Sequence, residues 1–229
     1  MTALSTPLQP TDRTPTATLY RRAGLGGLVV FGGWLAQPIL VFALLGDEEL
    51  LTYDALRGAG WVGPFDLVAF CLIATGWLVL VDNVHALLDA RQDGRRPLGA
   101  VPRALGLAGG LAWLLLAAMT TAPFTTASSD LAELGRDDQV AALSAHGIGD
   151  LGVLIFSVLC LAAWMVLVAP EADRRGVLPR PVTVTVVLLA VVGVAPLLIP
   201  FSAPWGTVAL VLAAAVLGVT GLVRSRSAA

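Results

Sequence analysis

The chain has 229 residues, 57% of them hydrophobic and only 13% charged, with a mean hydropathy of +0.83 and a formal net charge of −2. Soluble domains carry about 25% charged residues, so this composition leaves too little polar surface for a water-solvated globule and makes lipid the expected solvent. All fourteen basic residues are arginine, which excludes lysine chemistry such as a retinal or pyridoxal Schiff base; the Arg-only, Ala/Val/Leu/Gly-rich usage points to a GC-rich bacterial genome.

Residues 1–20 are rich in Thr, Pro and Ser, show no apolar period, and read as a disordered cytoplasmic tail. Arg21 and Arg22 then introduce an apolar run over 23–46. It is too long for a signal-peptide core and ends in no small-x-small cleavage site, so it reads as a retained first span. Five further runs follow at 61–88, 101–123, 141–168, 181–201 and 207–223. Each approaches or exceeds the roughly 20 residues needed to cross a hydrocarbon core. In lipid only a helix or a closed barrel satisfies its own backbone, and runs of this length exclude barrel strands. The predicted fold is an all-α, polytopic transmembrane bundle of about six helices within residues 21–226.

Arginine placement predicts the orientation. Arg13, Arg21 and Arg22 precede the first span; Arg91, Arg95, Arg96 and Arg103 lie between or beside the second and third. Arg174, Arg175 and Arg180 join the fourth and fifth, and Arg224 and Arg226 follow the sixth. Twelve arginines thus fall on one side, against Arg57 and Arg136 on the other. The second side carries Asp47, Glu48, Glu49, Asp54, Asp130, Glu133, Asp137 and Asp138. The positive-inside rule makes the arginine side cytoplasmic, giving a multi-pass protein of the bacterial cytoplasmic (inner) membrane with both termini inside.

Ionisable groups at membrane depth are costly and mark functional candidates. An outer cluster comprises Asp66 on the second span with His146 and Asp150 on the fourth, and Gln37 of the first span lies at a similar depth. His146 and Asp150 are spaced i, i+4 and share a helical face. An imidazole flanked by carboxylates can relay protons, act as general acid and base, or ligate a divalent metal; the same residues can equally form a hydrogen-bonded network near helix starts. Asp66, His146 and Asp150 are the candidate catalytic residues. An inner cluster comprises Asp82, Asn83 and His85, with Arg103 at the start of the third span as the expected partner. Gln37, Asp82, His85 and Arg103 are the candidate ligand-binding residues, the last three alternatively an interfacial ion pair beside a helix-terminal histidine.

Depth argues against a haem held by both histidines. His85 lies twenty-one residues beyond Pro64 on the second span, about 31 Å at 1.5 Å per residue, whereas His146 sits back at the outer end. Phosphate-loop, HExxH, GxSxG and paired acidic metal motifs are all missing, so neither cofactor nor metal is expected, and nucleic acid is not an expected partner. Cys71 and Cys160 lie in apolar runs and read as small buried hydrophobes. Pro38 and Pro196 read as kinks. Gly106 and Gly110 form a GxxxG pair that lets another helix approach closely; the oligomeric state stays open.

Arg22-Ala23-Gly24 ahead of the first span, His146-x-x-Gly149, a long apolar helix and then Gly176-Val177-Leu178-Pro179-Arg180 resemble a bacterial six-helix membrane family known as a domain of unknown function. The resemblance implies a six-helix bundle and brings no activity, cofactor or catalytic residue with it. Three functional classes follow from the residues. The leading one binds or moves a small or lipidic ligand through an outward-facing polar pocket. A second is an enzyme applying Asp/His acid–base chemistry to an isoprenoid or lipid. A third is a non-catalytic subunit presenting its GxxxG surface to a protein partner.

Overall fold

A computed structural model of the protein describes residues 16–45, 52–91, 98–124, 131–198 and 203–228, leaving aside the side chains of 40–45 and 203–204. Most of the expected tail lies outside the described residues, as do Arg13, Asp47, Glu48, Glu49, Arg95, Arg96 and Asp130. Every regular element among the described residues is helical: α1 (Thr16–Leu45), the short α2 (Tyr53–Gly58), α3 (Val62–Ala90), α4 (Ala100–Ala122), α5 (Arg136–Arg174), α6 (Arg180–Val194) with a 3-10 turn (Ala195–Leu198), and α7 (Ala203–Ser227). Five of them, α3, α4, α5, α6 with its turn, and α7, are long and apolar enough to cross a membrane, which fits a multi-pass membrane protein.

The first helix begins at Thr16, inside the stretch expected to be a disordered tail. Leu19 and Tyr20 are buried, and the Tyr20 hydroxyl donates to the Val177 carbonyl at 3.3 Å. Tertiary burial therefore extends the helix across residues whose composition alone argues for disorder. The fourth expected span, 141–168, is the middle of the 39-residue α5. The fifth tightens to a 3-10 turn at Ala195. Pro196 lacks the N–H that would continue the α-helical ladder there.

The helices close into a ring, with α1 beside α3, then α4, α5, α6 and α7 in order, and α7 packed back on α1. Helices α5 and α7 also touch each other, so the ring is filled. Trp77, Trp164, Ile73, Leu80, Leu161 and Met165 form its core. Leu72, Leu115, Phe156, Leu188, Val191 and Val219 face outward, an apolar belt suited to lipid. Several hydroxyls on the spans are satisfied on their own helices: Thr75, Thr120, Thr185 and Thr220 donate to carbonyls four residues back at 2.8–3.0 Å, whereas Ser157 of α5 donates to the Gly109 carbonyl of α4 at 2.9 Å.

Glycine sets the closest approaches. A methyl group on Gly27 would collide with the Ala214 carbonyl oxygen, so α1 and α7 meet backbone to backbone. Gly26 and Gly76 play the same part between α1 and α3. The Gly106 and Gly110 pair is buried inside the ring: Gly106 against Val81 and Trp164, and Gly110 against Trp77.

Two ends follow from the element order. At the arginine end, α3 and α5 finish and α4 and α6 begin, with Arg91, Arg103, Arg175, Arg180 and Arg224. At the acidic end, α1 and α4 finish and α3, α5 and α7 begin, with Asp54, Glu133, Asp137 and Asp138 nearby.

Candidate functional site

At the acidic end a cleft of about 310 Å³ opens in the middle of the ring, at the small end of the range typical of ligand pockets. Five helices line it. Trp34 and Gln37 come from α1, Phe70 from α3, and Trp113 and Leu116 from α4. Gly147, Asp150, Leu151 and Leu154 are one face of α5, spaced i, i+3, i+4 and i+7, and Thr207 comes from the start of α7. The Phe70 and Trp113 rings touch, with centroids 5.6 Å apart and planes tilted by 38°.

The four outer candidates form two pairs. The Gln37 amide Nε2 donates to Asp66 Oδ1 at 3.1 Å, which turns its own carbonyl oxygen away from Asp66. His146 Nε2 lies 3.8 Å from Asp150 Oδ2, beyond hydrogen-bond reach. No hydrogen bond or ion pair joins one pair to the other among the described residues. Nor does any group of three His, Cys, Asp or Glu side chains suited to a metal ion occur among them.

The His146 ring has a closer partner, the Met119 carbonyl oxygen at 2.6 Å. A carbonyl only accepts, so the ring proton sits on Nε2. The sequence explains why that carbonyl is available. In α4 its usual donor would be the backbone N–H four residues on, but that residue is Pro123, which has none. His146 supplies the missing donor from the neighbouring helix. Asp150 is left with Oδ1 buried and without a hydrogen-bond partner among the described residues. The Trp113 indole N–H is in the same condition.

The inner candidates are also divided. Asp82 on α3 and Arg103 on α4 form an ion pair, with both side chains about half exposed, at 56% and 51% respectively. His85 turns the other way into the core, only 4% exposed. The Trp164 indole N–H donates to its Nε2 at 3.2 Å, so that nitrogen carries a lone pair and no proton. Asn83 donates to the Val79 carbonyl on its own helix at 2.7 Å.

The structure also places residues that spacing did not single out. Arg175 is buried, with its side chain 1% exposed; its Nε donates to Glu171 at 2.7 Å and its guanidinium to the Leu88 carbonyl at 3.0 Å. It thereby ties α5 to a carbonyl at the end of α3, one that also accepts the Arg91 backbone N–H at 3.2 Å. Gly176, with φ of 66°, ends α5 in a left-handed turn, and Val177 N–H returns to the Ala172 carbonyl at 2.7 Å. The Gly176 carbonyl then accepts from Arg91 of α3 at 2.9 Å and Arg224 of α7 at 2.6 Å. With Tyr20 on Val177, this single turn links α1, α3, α5 and α7. The signal was in the sequence: a glycine closing an arginine-tipped helix before Pro179. For the cleft the signal was Trp34 three residues before Gln37 and Phe70 four after Asp66, helical offsets that place the rings beside the polar groups.

Comparison of the chain with protein families, curated proteins and solved structures returned no match.

Proposed function

We propose that the chain is a six-span protein of the bacterial cytoplasmic membrane, with both termini in the cytoplasm, that binds or moves a small or lipidic ligand through an outward-facing cleft. In this reading α1 is the sixth span: it is 30 residues long and packs beside α3 and α7. The arginine end then faces the cytoplasm by the positive-inside rule, and the cleft faces out.

The observation that carries the reading is the cleft in the centre of the ring, with apolar and aromatic walls and a few polar groups, Gln37, Asp150 and Thr207, converging on it. That is the usual composition of a small-molecule site. Acid–base catalysis on a hydrophobic substrate is the rival reading, favoured by Asp150 standing beside His146. The commitment of the His146 proton to the Met119 carbonyl counts against it, because a general acid must spend that proton on substrate. A subunit role has less support, since Gly106 and Gly110 are covered by the chain's own side chains.

Trp34 and Trp113 make the test direct. With the full chain in lipid nanodiscs, tryptophan emission is titrated with a panel of small cationic, neutral and anionic amphiphiles. At least one class should shift the emission saturably, and Gly147→Trp, which fills the cleft, should abolish the shift. A panel with no saturable response would refute the reading.

A further inference from the structure

Resting on the ligand-binding reading above, we infer that the cleft selects an organic ammonium cation carrying apolar substituents, held between the Trp34, Phe70 and Trp113 rings and the Asp150 carboxylate.

Three features of the cleft argue for a cation over a neutral or anionic ligand. The first is charge. Among the described residues Asp150 is the one carboxylate lining the cleft, and no arginine lines it. The basic side chain paired with Asp150 is His146 at 3.8 Å, whose Nε2 proton goes to the Met119 carbonyl instead. Asp150 Oδ1 is buried and lacks a hydrogen-bond partner among the described residues. A buried carboxylate oxygen left in this way is costly, and a cation in the cleft supplies the missing counter-charge.

The second feature is the wall. Trp34, Phe70 and Trp113 come from three different helices to one cleft. Tryptophan gives the strongest cation–π attraction of the aromatic side chains, and desolvation strengthens it. Leu116, Leu151 and Leu154 complete the lining, so substituents on the cation meet apolar surface while its charge meets Asp150 and ring faces.

The third feature is the second carboxylate. Asp66 holds the Gln37 amide by its nitrogen, which leaves the Gln37 carbonyl as an acceptor on a side chain that lines the cleft. The partial negative charge on that oxygen attracts an ammonium group, quaternary or not, and repels an anion. A cation free in solution and one in a lipid head group present the same recognising chemistry, and the test distinguishes the two sources.

The test uses the full chain in phosphatidylglycerol nanodiscs, which contain no ammonium head group, with two probes of one shape: benzyltrimethylammonium and its neutral carbon isostere, neopentylbenzene. Tryptophan emission should report tighter binding of the cation by about tenfold or more. Asp150→Asn should erase that preference while leaving the neutral probe's affinity within about twofold, which also shows that the variant is folded. Trp34→Leu should weaken the cation severalfold more than the isostere. Equal binding of both probes, indifferent to Asp150→Asn, overturns the cation assignment and leaves ligand binding standing; saturable binding of neither probe, nor of any amphiphile in the wider panel, removes both. Exchanging phosphatidylglycerol for phosphatidylcholine then assigns the source within a positive result: loss of benzyltrimethylammonium binding identifies the head group as occupant, and unchanged binding identifies a free cation.

Discussion

His146 Nε2 lies 2.6 Å from the Met119 carbonyl oxygen, the acceptor whose own helical donor is removed by Pro123. The histidine that spacing alone offers as a catalytic or metal-binding group is thus the replacement for a missing backbone hydrogen bond in the neighbouring helix. The two residues should be energetically coupled. His146→Ala should cost about 1–3 kcal/mol by leaving the carbonyl unpaired, and Pro123→Ala should restore a donor and recover part of that loss in the double variant. Thermal unfolding in detergent of the wild type, both single variants and the double variant reads the coupling; strictly additive effects would show that the two residues act independently.

Arg175 and Arg103 give opposite expectations although both sit in carboxylate pairs. Arg175 is buried and also holds the Leu88 carbonyl, so Arg175→Met should destabilise the bundle by about 3 kcal/mol, removing the closest donor of Glu171 and the tie from α5 to the end of α3. Arg103 and Asp82 are about half exposed, and screening reduces Asp82→Asn to about 1 kcal/mol or less. Unfolding midpoints measured in one detergent should therefore separate the two variants clearly, and equal losses would contradict this ranking.

Glycines on the same helix should also differ. Gly27→Val places a methyl group against the Ala214 carbonyl, and backbone cannot move aside as a side chain does, so a loss of at least 1–3 kcal/mol is expected. A methyl on Gly32 meets nothing within 4 Å; Gly32→Ala should be neutral or gain up to about 1 kcal/mol from helix propensity. Yield of monodisperse protein and its thermal midpoint check both, and tolerance of Gly27→Val would place α1 farther from α7.

The proposed orientation is open to fusion reporters. Green fluorescent protein joined after Ala229 should fluoresce, and alkaline phosphatase inserted after Gly60, at the acidic end, should be active. The opposite pattern at both sites would invert the protein, and fluorescence combined with phosphatase inactivity would remove one crossing.

The site was partly legible in the sequence. Gln37, Asp66, His146 and Asp150 stood out because charge and amide groups in apolar runs are costly, and they do lie at one end of the bundle. Their pairing was not legible. Helical periodicity puts His146 and Asp150 on one face, but which neighbour His146 reaches depends on how α4 lies against α5. The aromatic rings of the cleft left only a faint signal, the helical offsets of Trp34 from Gln37 and of Phe70 from Asp66, because in a chain this apolar an aromatic residue inside a span has little contrast with its surroundings. Tyr20 and Arg175 show the same limit at the arginine end, where burial comes from the turn at Gly176.

What the sequence determines by itself is the set of long helices and the asymmetry of their ends, because lipid enforces both through length, apolarity and the placement of arginine. The tertiary structure alone decides that Gly27 meets Ala214, that His146 serves Met119, and that Trp34, Phe70, Trp113 and Asp150 share one cleft. Those relations depend on distances between segments far apart in the chain, set by backbone contact at small residues and by carbonyls in need of a donor.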